Sequence, residues 1–588
     1  MTTDQNYQQI YRVGGMLDAG FVGQITYTIS LDQVYDELDI HFSFDKRLYS
    51  ESDVTPELID KLQTLCTAKY DAPTYPVEEF RQTILHEMKT EIHTMAELND
   101  NFIGCIHRQL TDRHMLYTKE FTSDGCLAQD TFSGVLKVTV LVFNVLLDNT
   151  QYTLTVSGHP VGQGVIAPNF NLMDTVKTAA GNTGASNAAE SADNSCEAES
   201  APASAVATAG SSGVSGAGST ATAGDSSTTG SSSAGNTVTA STRFKRLELH
   251  NHTVESDGSL TCQELTEYLA ADHVDAFAIT DHNTTSGQKK IEQLLEEKHY
   301  PISLIRGMEY TTYFGHILCL NLAKYVPWNS IDQHRPELLF EAAREKGALV
   351  GIAHPFSYGD PFARGCRFEM TVSDYSKVDF IEIFNNPEPL HEVNERGTNL
   401  WMSLIFSGYQ ITATSGMDLH NRAKLAGCYA TYIEGKSGGN IASELDTAIH
   451  THRTWVSKGA LLLTEVLPET NELLLTFTDA HKPGFAVPKT AQAVLKGKDK
   501  TFTTSVSLDK PVRISLNQLS GTDPIIPLLY EAPGINGAAT VSNAAHVAAS
   551  TSCGSAADAS SAAGQLKEID ALPAIEGLLC VSPVLYRD

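Results

Sequence analysis

Apolar and polar residues alternate with a period of two at both ends of the N-terminal region. Such runs occur within 25–44 and 136–156, and this pattern predicts half-buried antiparallel strands. Over Phe80–Phe102 the apolar residues recur mostly three and four positions apart, which predicts one face of a long helix. Residues 1–176 are therefore predicted to form a β-rich domain with a helical insertion near 56–110.

The pattern changes over 242–458, where short apolar runs alternate with segments of helical period. This alternation is typical of an α/β chain with a parallel sheet or barrel. After residue 459 the period of two returns, for example at Val512, Ile514 and Leu516, and predicts a C-terminal β-rich region over 459–588. The apolar runs of the middle region are LELHNH, DAFAITDH, SLIRGMEYTT, GHILCLNL, ALVGIAHPF, FIEIFN and QITATSGMDLH.

Two tracts consist mostly of Ala, Gly, Ser and Thr. One spans 177–241 and the other lies near 534–564. Because such segments bury too little apolar surface to offset the entropy of ordering, they are predicted to be disordered. The first tract is then a linker between the N-terminal domain and the middle region.

Composition limits the possible functions. The 588 residues include 41 basic and 70 acidic side chains, a net charge of −29, which disfavours a broad nucleic-acid-binding surface. The ten cysteines form no CxxC pair, so reduced thiols are expected rather than a disulfide or zinc-finger framework. Since no secretory signal or membrane-spanning run is apparent, a cytoplasmic protein is expected.

Potential metal ligands stand at the ends of the apolar runs of the middle region. His250 and His252 are two positions apart on a predicted strand, so their side chains share one side. With 20 histidines, one HxH pair is expected about 0.7 times by chance, so the prediction rests on the further candidates. By contrast, His86 and His93 on the predicted helix are interpreted as packing or solvated side chains. The further candidates are Asp257, Asp281, His282, Glu309, His316, His354, Asp418 and His420.

These motifs resemble a known family. HNH with SDG, TDHN, GMEYTT followed by GH, AHPF and GMDLH are similar to the polymerase-and-histidinol-phosphatase (PHP) domain, and within it to the CehA/McbA-type metallohydrolases. The resemblance covers about Arg243 to Leu463. It implies a distorted seven-stranded β/α barrel that binds two or three divalent ions (Mn²⁺, Zn²⁺ or Fe²⁺).

The resemblance also implies which residues bind each ion. The first ion would be held by His250, His252, Glu309 and Asp418. The second would be held by Glu309, as a bridging ligand, with His316 and His354. A third site would be completed by Asp257, His282 and His420. Asp281, which must point away from its neighbour His282 on an extended strand, would support the site without binding metal.

The implied chemistry is hydrolysis by a metal-bridging hydroxide. A phosphoesterase acting on a nucleotide or phosphorylated small molecule is the leading hypothesis. The alternatives are a carboxylic or carbamic ester hydrolase and a metal-stabilised binding module without turnover. The candidate substrate-binding side chains are Arg364, Arg367, Asn385 and His391. That these residues only form an ordinary solvated loop is an equally good interpretation.

Overall fold

The computed structural model describes most of the chain outside the two Ala/Gly/Ser/Thr-rich tracts. The predicted linker at 177–241, the tract near 534–564 and the candidate His391 lie outside the described residues. The described ranges are 7–45, 47–70, 76–108, 110–146, 148–161, 243–329, 331–385, 392–482, 486–532, 566–569 and 572–586.

An antiparallel sheet forms the N-terminal part, as the alternating pattern predicts. Along the sheet the order is β1-β7-β2-β6-β3-β4, with β5 paired to β2. The strands are β1 (Gln8–Leu17), β2 (Gly23–Phe44), β3 (Glu91–Leu98), β4 (Asn101–Ile106), β5 (Asp112–Tyr117), β6 (Phe132–Asn144) and β7 (Thr150–Pro160).

The long helix predicted across 80–102 is wrong in its second half. The insertion contains helices α1 (Pro56–Tyr70) and α2 (Val77–Glu87), but the chain then enters β3 and β4. Seven of the eight residues of β3 are buried: Ile92 packs into the core of the N-terminal sheet, and Met95 packs into the core of the central sheet. A strand buried on both faces has no period of two, so its apolar residues imitate helical spacing.

Seven strands of the middle region form one side of a larger sheet, in the order β8 to β14. The pairs β8/β9, β9/β10, β12/β13 and β13/β14 are parallel, whereas β11 is antiparallel to both β10 and β12. Six of these seven strands therefore run in the same direction. They are β8 (Arg243–Glu248), β9 (Ala276–Ile279), β10 (Ser303–Thr312), β11 (Gly315–Leu320), β12 (Leu349–Ile352), β13 (Phe380–Phe384) and β14 (Thr412–Ser415).

Helices connect several of these strands. The first begins with a capping box, in which Thr261 and Glu264 each bind the other's backbone N–H, an arrangement that satisfies two otherwise unpaired donors. The helices of the central and C-terminal parts are α3 (Cys262–Ala271), α4 (Ser286–Lys298), α5 (Glu337–Arg344), α6 (Glu392–Phe406) and α7 (Ile441–His450).

Beyond β8 the same sheet continues into the C-terminal strands. In spatial order these are β15 (Ala430–Gly435), β16 (Thr454–Ser457), β24 (Leu578–Val581), β22 (Ile526–Glu531), β19 (Thr490–Lys496), β20 (Thr501–Ser507) and β23 (Lys567–Ile569). A three-stranded sheet contains β17 (Ala460–Leu467), β18 (Glu472–Asp479) and β21 (Val512–Ser515). The prediction of a mixed α/β chain rich in β-sheet is confirmed. Among the described residues, no helix combines the length and apolar character needed to span a membrane.

The helical insertion packs against the loop that follows β12. Phe80 meets Phe362 edge-on with ring centres 6.1 Å apart, and Tyr70 meets Tyr358 in the same way at 5.5 Å. The Tyr70 hydroxyl also donates to the backbone carbonyl of Asp360. The N-terminal region therefore holds a loop of the central region in place.

We predict that Tyr70→Ala removes this contact and lowers the free energy of unfolding. Only 1 % of the Tyr70 surface is exposed, and truncating a buried aromatic side chain costs about 3–5 kcal/mol. On the same helix Leu65 is 39 % exposed, so Leu65→Ala should change the free energy of unfolding by roughly 0.5 kcal/mol or less. Thermal and urea unfolding of both variants measure the difference. Equal effects would show that the Tyr70 contact contributes no more to stability than an exposed side chain does.

Candidate metal centre

The candidate ligands meet at one edge of the central sheet. Because six strands run the same way, their carboxyl ends lie together, and the antiparallel β11 begins at that edge. In a parallel α/β sheet this is the edge where sites are built. His250 and His252 follow β8, Asp281 and His282 follow β9, Glu309 lies in β10, His316 is near the start of β11, His354 follows β12, and Asp418 and His420 follow β14.

The segments after β8 and β14 are hydrogen bonded to each other at this edge. The backbone N–H of Leu419 donates to the carbonyl of His250 at 3.1 Å, and the N–H of His252 donates to the carbonyl of Leu419 at 2.9 Å. This parallel pairing brings Asp418 and His420 beside the HxH pair.

Glu309 lies at the middle of the cluster and is completely buried. Its Oε2 is 3.1 Å from Nε2 of His250 and 3.3 Å from Nε2 of His252. Its Oε1 is 2.8 Å from Nδ1 of His316 and 3.0 Å from Nε2 of His354. The two carboxylate oxygens therefore face different groups of histidines.

Asp418 lies on the side of the first pair. Its Oδ1 is 2.9 Å from Nε2 of His252 and 3.3 Å from Nε2 of His250. Two ligand atoms that each lie ~2.1 Å from one ion are roughly 3.0–3.4 Å apart. The four histidine-to-carboxylate separations, which run from 2.9 to 3.3 Å, are therefore close to those of ligand atoms that share an ion.

A second carboxylate group lies toward solvent. Oδ1 of Asp257 is 3.3 Å from Nε2 of His420 and 3.6 Å from Nε2 of His282. The Asp257 and His420 side chains are 26 % and 35 % exposed, in contrast to the fully buried His250. The cluster therefore opens to solvent on this side.

His282 connects the two parts of the cluster. Its Nδ1 lies 2.9 Å from Oε2 of Glu309 and 2.6 Å from the hydroxyl of Thr311, while its Nε2 faces Asp257. The hydrogen bond with Thr311 can fix the ring through one nitrogen while the other nitrogen remains able to bind metal. Nothing in the local sequence marks Thr311 as a partner of His282.

The donor set fits divalent ions. His250 Nε2, Asp257 Oδ1 and Glu309 Oε2 are buried and make no hydrogen bond, although each has an oppositely polarised atom within 3.3 Å. Leaving such an atom without a hydrogen bond costs about 1–3 kcal/mol. A cation between these atoms would remove this cost, and mixed imidazole and carboxylate ligands suit Zn²⁺, Mn²⁺ and Fe²⁺.

The electrostatics of the cluster favour ionised carboxylates. Burial raises the pKa of Glu309, but the charges of His250 and His316 outweigh this effect and hold the pKa well below its usual value. Burial lowers the pKa of His250, but Glu309 and Glu382 outweigh it and raise that pKa. A metal ion must therefore compete with a proton for the His250 imidazole.

Two candidate ligands have strained backbones. His354 has φ 24° and Asp418 has φ 49°, and such conformations cost about 1–3 kcal/mol for residues other than glycine. The strain at His354 is compensated locally, because its backbone N–H donates to Oε2 of Glu382 at 3.0 Å. Strained residues often occur at functional sites.

Glu382, which the sequence analysis missed, supports the cluster from behind. Its Oε1 is 3.0 Å from Nδ1 of His250, and its Oε2 also accepts a hydrogen bond from Nδ2 of Asn385 at 2.9 Å. A carboxylate bound to the second nitrogen of an imidazole ligand orients the ring. The available signal was a glutamate inside the otherwise apolar run FIEIFN.

Asp281 is turned away from the cluster toward the loop after β8. Its oxygens accept hydrogen bonds from the backbone N–H and hydroxyl of Thr253, at 2.7 and 2.8 Å, and from the hydroxyl of Ser256 at 2.7 Å. These bonds shape the segment that presents Asp257.

The candidate substrate-binding arginines make other contacts. Arg364 forms an ion pair with Asp360 at 2.8 Å. The Arg367 guanidinium lies 5.1 Å from the ring centre of Tyr70 and 5.3 Å from that of Phe356. Asn385 is buried, and its side chain donates a hydrogen bond to Glu382. Each of the three side chains therefore contacts another part of the protein, and their role in substrate binding stays a prediction.

Comparison with known proteins gives partial matches. The model of a family of unknown function, DUF6669, matches residues 7–160. An uncharacterized protein of Methanocaldococcus jannaschii is 30 % identical over 112 residues, 19 % of this chain and 58 % of the relative. A 5'-3' exoribonuclease of Haemophilus influenzae is 36 % identical over 141 residues, 23 % of this chain and 50 % of the relative. The chain thus spans about half the length of these two curated relatives.

Among solved structures, one similar chain is a two-domain protein of Bacteroides vulgatus described as containing a predicted PHP-like metal-dependent phosphoesterase. The match has a TM-score of 0.30 and 14 % identity and covers 49 % of this chain and 90 % of the other. A likeness this low does not define the fold.

We predict that divalent ions stabilise the protein through Glu309. At a free concentration of 100 times its Kd, one bound ion adds about 2.7 kcal/mol to the free energy of unfolding. Glu309→Gln should lose most of this gain, because the amide weakens binding on both sides. Urea unfolding with Mn²⁺ or with chelator, together with elemental analysis, tests this.

The matched control is Glu434→Gln, which removes the same charge at a site where the carboxylate pairs with Arg453 at 2.9 Å. This variant should keep the full stabilisation by metal. An unfolding free energy of the unsubstituted protein that does not respond to chelator would contradict the prediction.

Proposed function

We propose that this protein is a divalent-metal-dependent phosphoesterase. The observation that carries the proposal is the position of Glu309, whose Oε2 faces His250 and His252 while its Oε1 faces His316 and His354. One carboxylate can thus serve two neighbouring ion positions. Two-ion sites of this kind are suited to hydrolysis of phosphate esters.

His250, His252, Glu309, His316, His354 and Asp418 would hold divalent ions, which when bound would supply an activated water and neutralise charge that develops on the substrate. The chain's own residues hold and shield the centre. His250 and His252 close its buried side. His420 is oriented by its contact with the Asp418 backbone carbonyl, 2.9 Å from its Nδ1, so that its Nε2 faces Asp257 and the solvent opening. A substrate would enter from this opening.

A nucleotide or a phosphorylated small molecule is the proposed substrate class. The exoribonuclease name of one relative supports a nucleotide phosphoester. The net charge of −29 disfavours a long nucleic-acid-binding surface, so a short anion or a strand end bound at the ions fits best.

The finer fold proposed is the distorted seven-stranded PHP barrel, of CehA/McbA type, with β8 to β14 as its strands. The backbone bonds of Leu419 to the segment after β8 support it.

Hydrolysis of a carboxylic or carbamic ester is the second candidate. It is favoured by the contacts of the two arginines, since Arg364 is already paired with Asp360 and Arg367 lies between aromatic rings. An uncharged ester would not need an arginine to bind its oxygens.

We predict that, with Mn²⁺ or Zn²⁺, the protein hydrolyses p-nitrophenyl phosphate faster than p-nitrophenyl acetate. Glu309→Gln should lower kcat/KM for the phosphate by at least about a hundredfold, because several kcal/mol of charge stabilisation depend on the ions. Glu434→Gln is again the control and should retain activity. Turnover of the acetate alone would favour the second candidate.

The arginines are tested separately. If the two arginines on the loop after β12 bind the phosphate group of the substrate, Arg364→Ala and Arg367→Ala should each reduce transition-state stabilisation by about 1.5–3 kcal/mol. This corresponds to a roughly ten- to hundredfold loss in kcat/KM for a phosphate ester. The loss should be smaller for a carboxylic ester. The exposed Arg335, which pairs with Asp332 at 3.0 Å, provides a control in Arg335→Ala. Equal losses on both substrates would show that the arginines only pack the loop.

A further inference from the structure

The N-terminal sheet reaches the metal centre through one histidine. His107 follows β4, is 5 % exposed, and places its Nε2 3.3 Å from Oδ2 of Asp257. Its ring also stacks on His282, with ring centres 4.1 Å apart and planes inclined by 25°. A side chain from outside the central sheet thus contacts two candidate ligands.

A buried row of side chains lies behind His107. The ring of His93, in β3, is centred 4.0 Å from that of His107, and Nε2 of His93 lies 3.2 Å from Oε1 of Glu91. All three are buried. His107 therefore has a fixed neighbour on each side: His93 toward the N-terminal sheet and Asp257 toward the centre.

The contact surface beside His107 is also fixed by hydrogen bonds. The backbone N–H of Gly125 donates to Oε2 of Glu255 at 3.0 Å, and the hydroxyl of Thr284 donates to the carbonyl of Gly125 at 2.9 Å. Gly125 has φ 79°, and a Cβ there would lie 2.3 Å from the carbonyl oxygen of Cys105. That Cβ would also lie 2.9 Å from the backbone oxygen of Glu255, so glycine allows the loop around Asp257 to approach the N-terminal region, and the two hydrogen bonds hold it there.

The two oxygens of Asp257 face different partners. Oδ1 faces His282 and His420, whereas Oδ2 faces His107. A metal-binding carboxylate is commonly held by a hydrogen bond to its other oxygen, and losing such a partner weakens metal binding 10- to 100-fold.

We propose that His107 is a positioning residue that holds Asp257 for metal binding, so that the N-terminal domain completes the solvent-side ion position. The inference rests on the proposed metal-dependent function. It gives the segment matched by DUF6669 a role in the centre formed by the other part of the chain.

Two substitutions separate the hydrogen bond from the ring contact. His107→Phe keeps an aromatic ring beside His282 but removes the donor, whereas His107→Gln keeps an N–H donor and removes the ring. We expect Phe to weaken one class of bound ion 10- to 100-fold and Gln to retain most of the affinity. The full-length, metal-free protein is titrated with Mn²⁺, and free Mn²⁺ is measured by electron paramagnetic resonance. Ile103→Val, in the core of the N-terminal sheet, controls for small losses of packing.

A double-mutant cycle identifies the route of the effect. If His107 acts through Asp257, His107→Phe should cost nothing further in an Asp257→Asn background. Unchanged Mn²⁺ affinity in His107→Phe, or equal losses in the Phe and Gln variants, would overturn the inference and leave the proposed function standing. Binding of fewer than two ions by the unsubstituted protein would overturn both.

Discussion

The buried carboxylate of Glu309 is the feature on which the centre depends. Burying a charged carboxylate away from water is strongly unfavourable unless groups of opposite charge surround it. Here the compensating groups are imidazoles that come from the ends of different strands, and they reach one point because six of seven strands run the same way. The charge of Glu309 can therefore be buried only because the common direction of the strands brings the imidazoles to it.

A second set of side chains keeps the ligands in place. Glu382 binds the ring of His250 and the backbone of His354, and Asp281 shapes the loop that carries Asp257. These hydrogen bonds allow a strained backbone at His354 to persist. These bonds orient the ligand side chains after the strand directions have brought them together.

The N-terminal sheet is joined to this centre by a hydrophobic core. Met95 and Phe143 of that sheet share a cluster with Tyr310 and Trp328 of the central region. Tyr325 adds a stacked contact with Phe102, with ring centres 4.0 Å apart. A tightly packed interface of this kind resists relative motion of the two sheets. The proposed contact of His107 with Asp257 requires such a fixed arrangement.

The alternation of strands and helices in the middle region and the candidate ligands at the strand ends could be predicted from the amino-acid pattern. These follow from local spacing, because a strand end places its residues at a known edge of the sheet. The other features depend on contacts between residues far apart in the chain. Strand β3 was mistaken for helix because both of its faces are buried, and burial on two faces erases the period. Glu382 and His107 were missed because their partners are distant in sequence. A contact that forms only when distant segments pack together leaves no local sequence pattern.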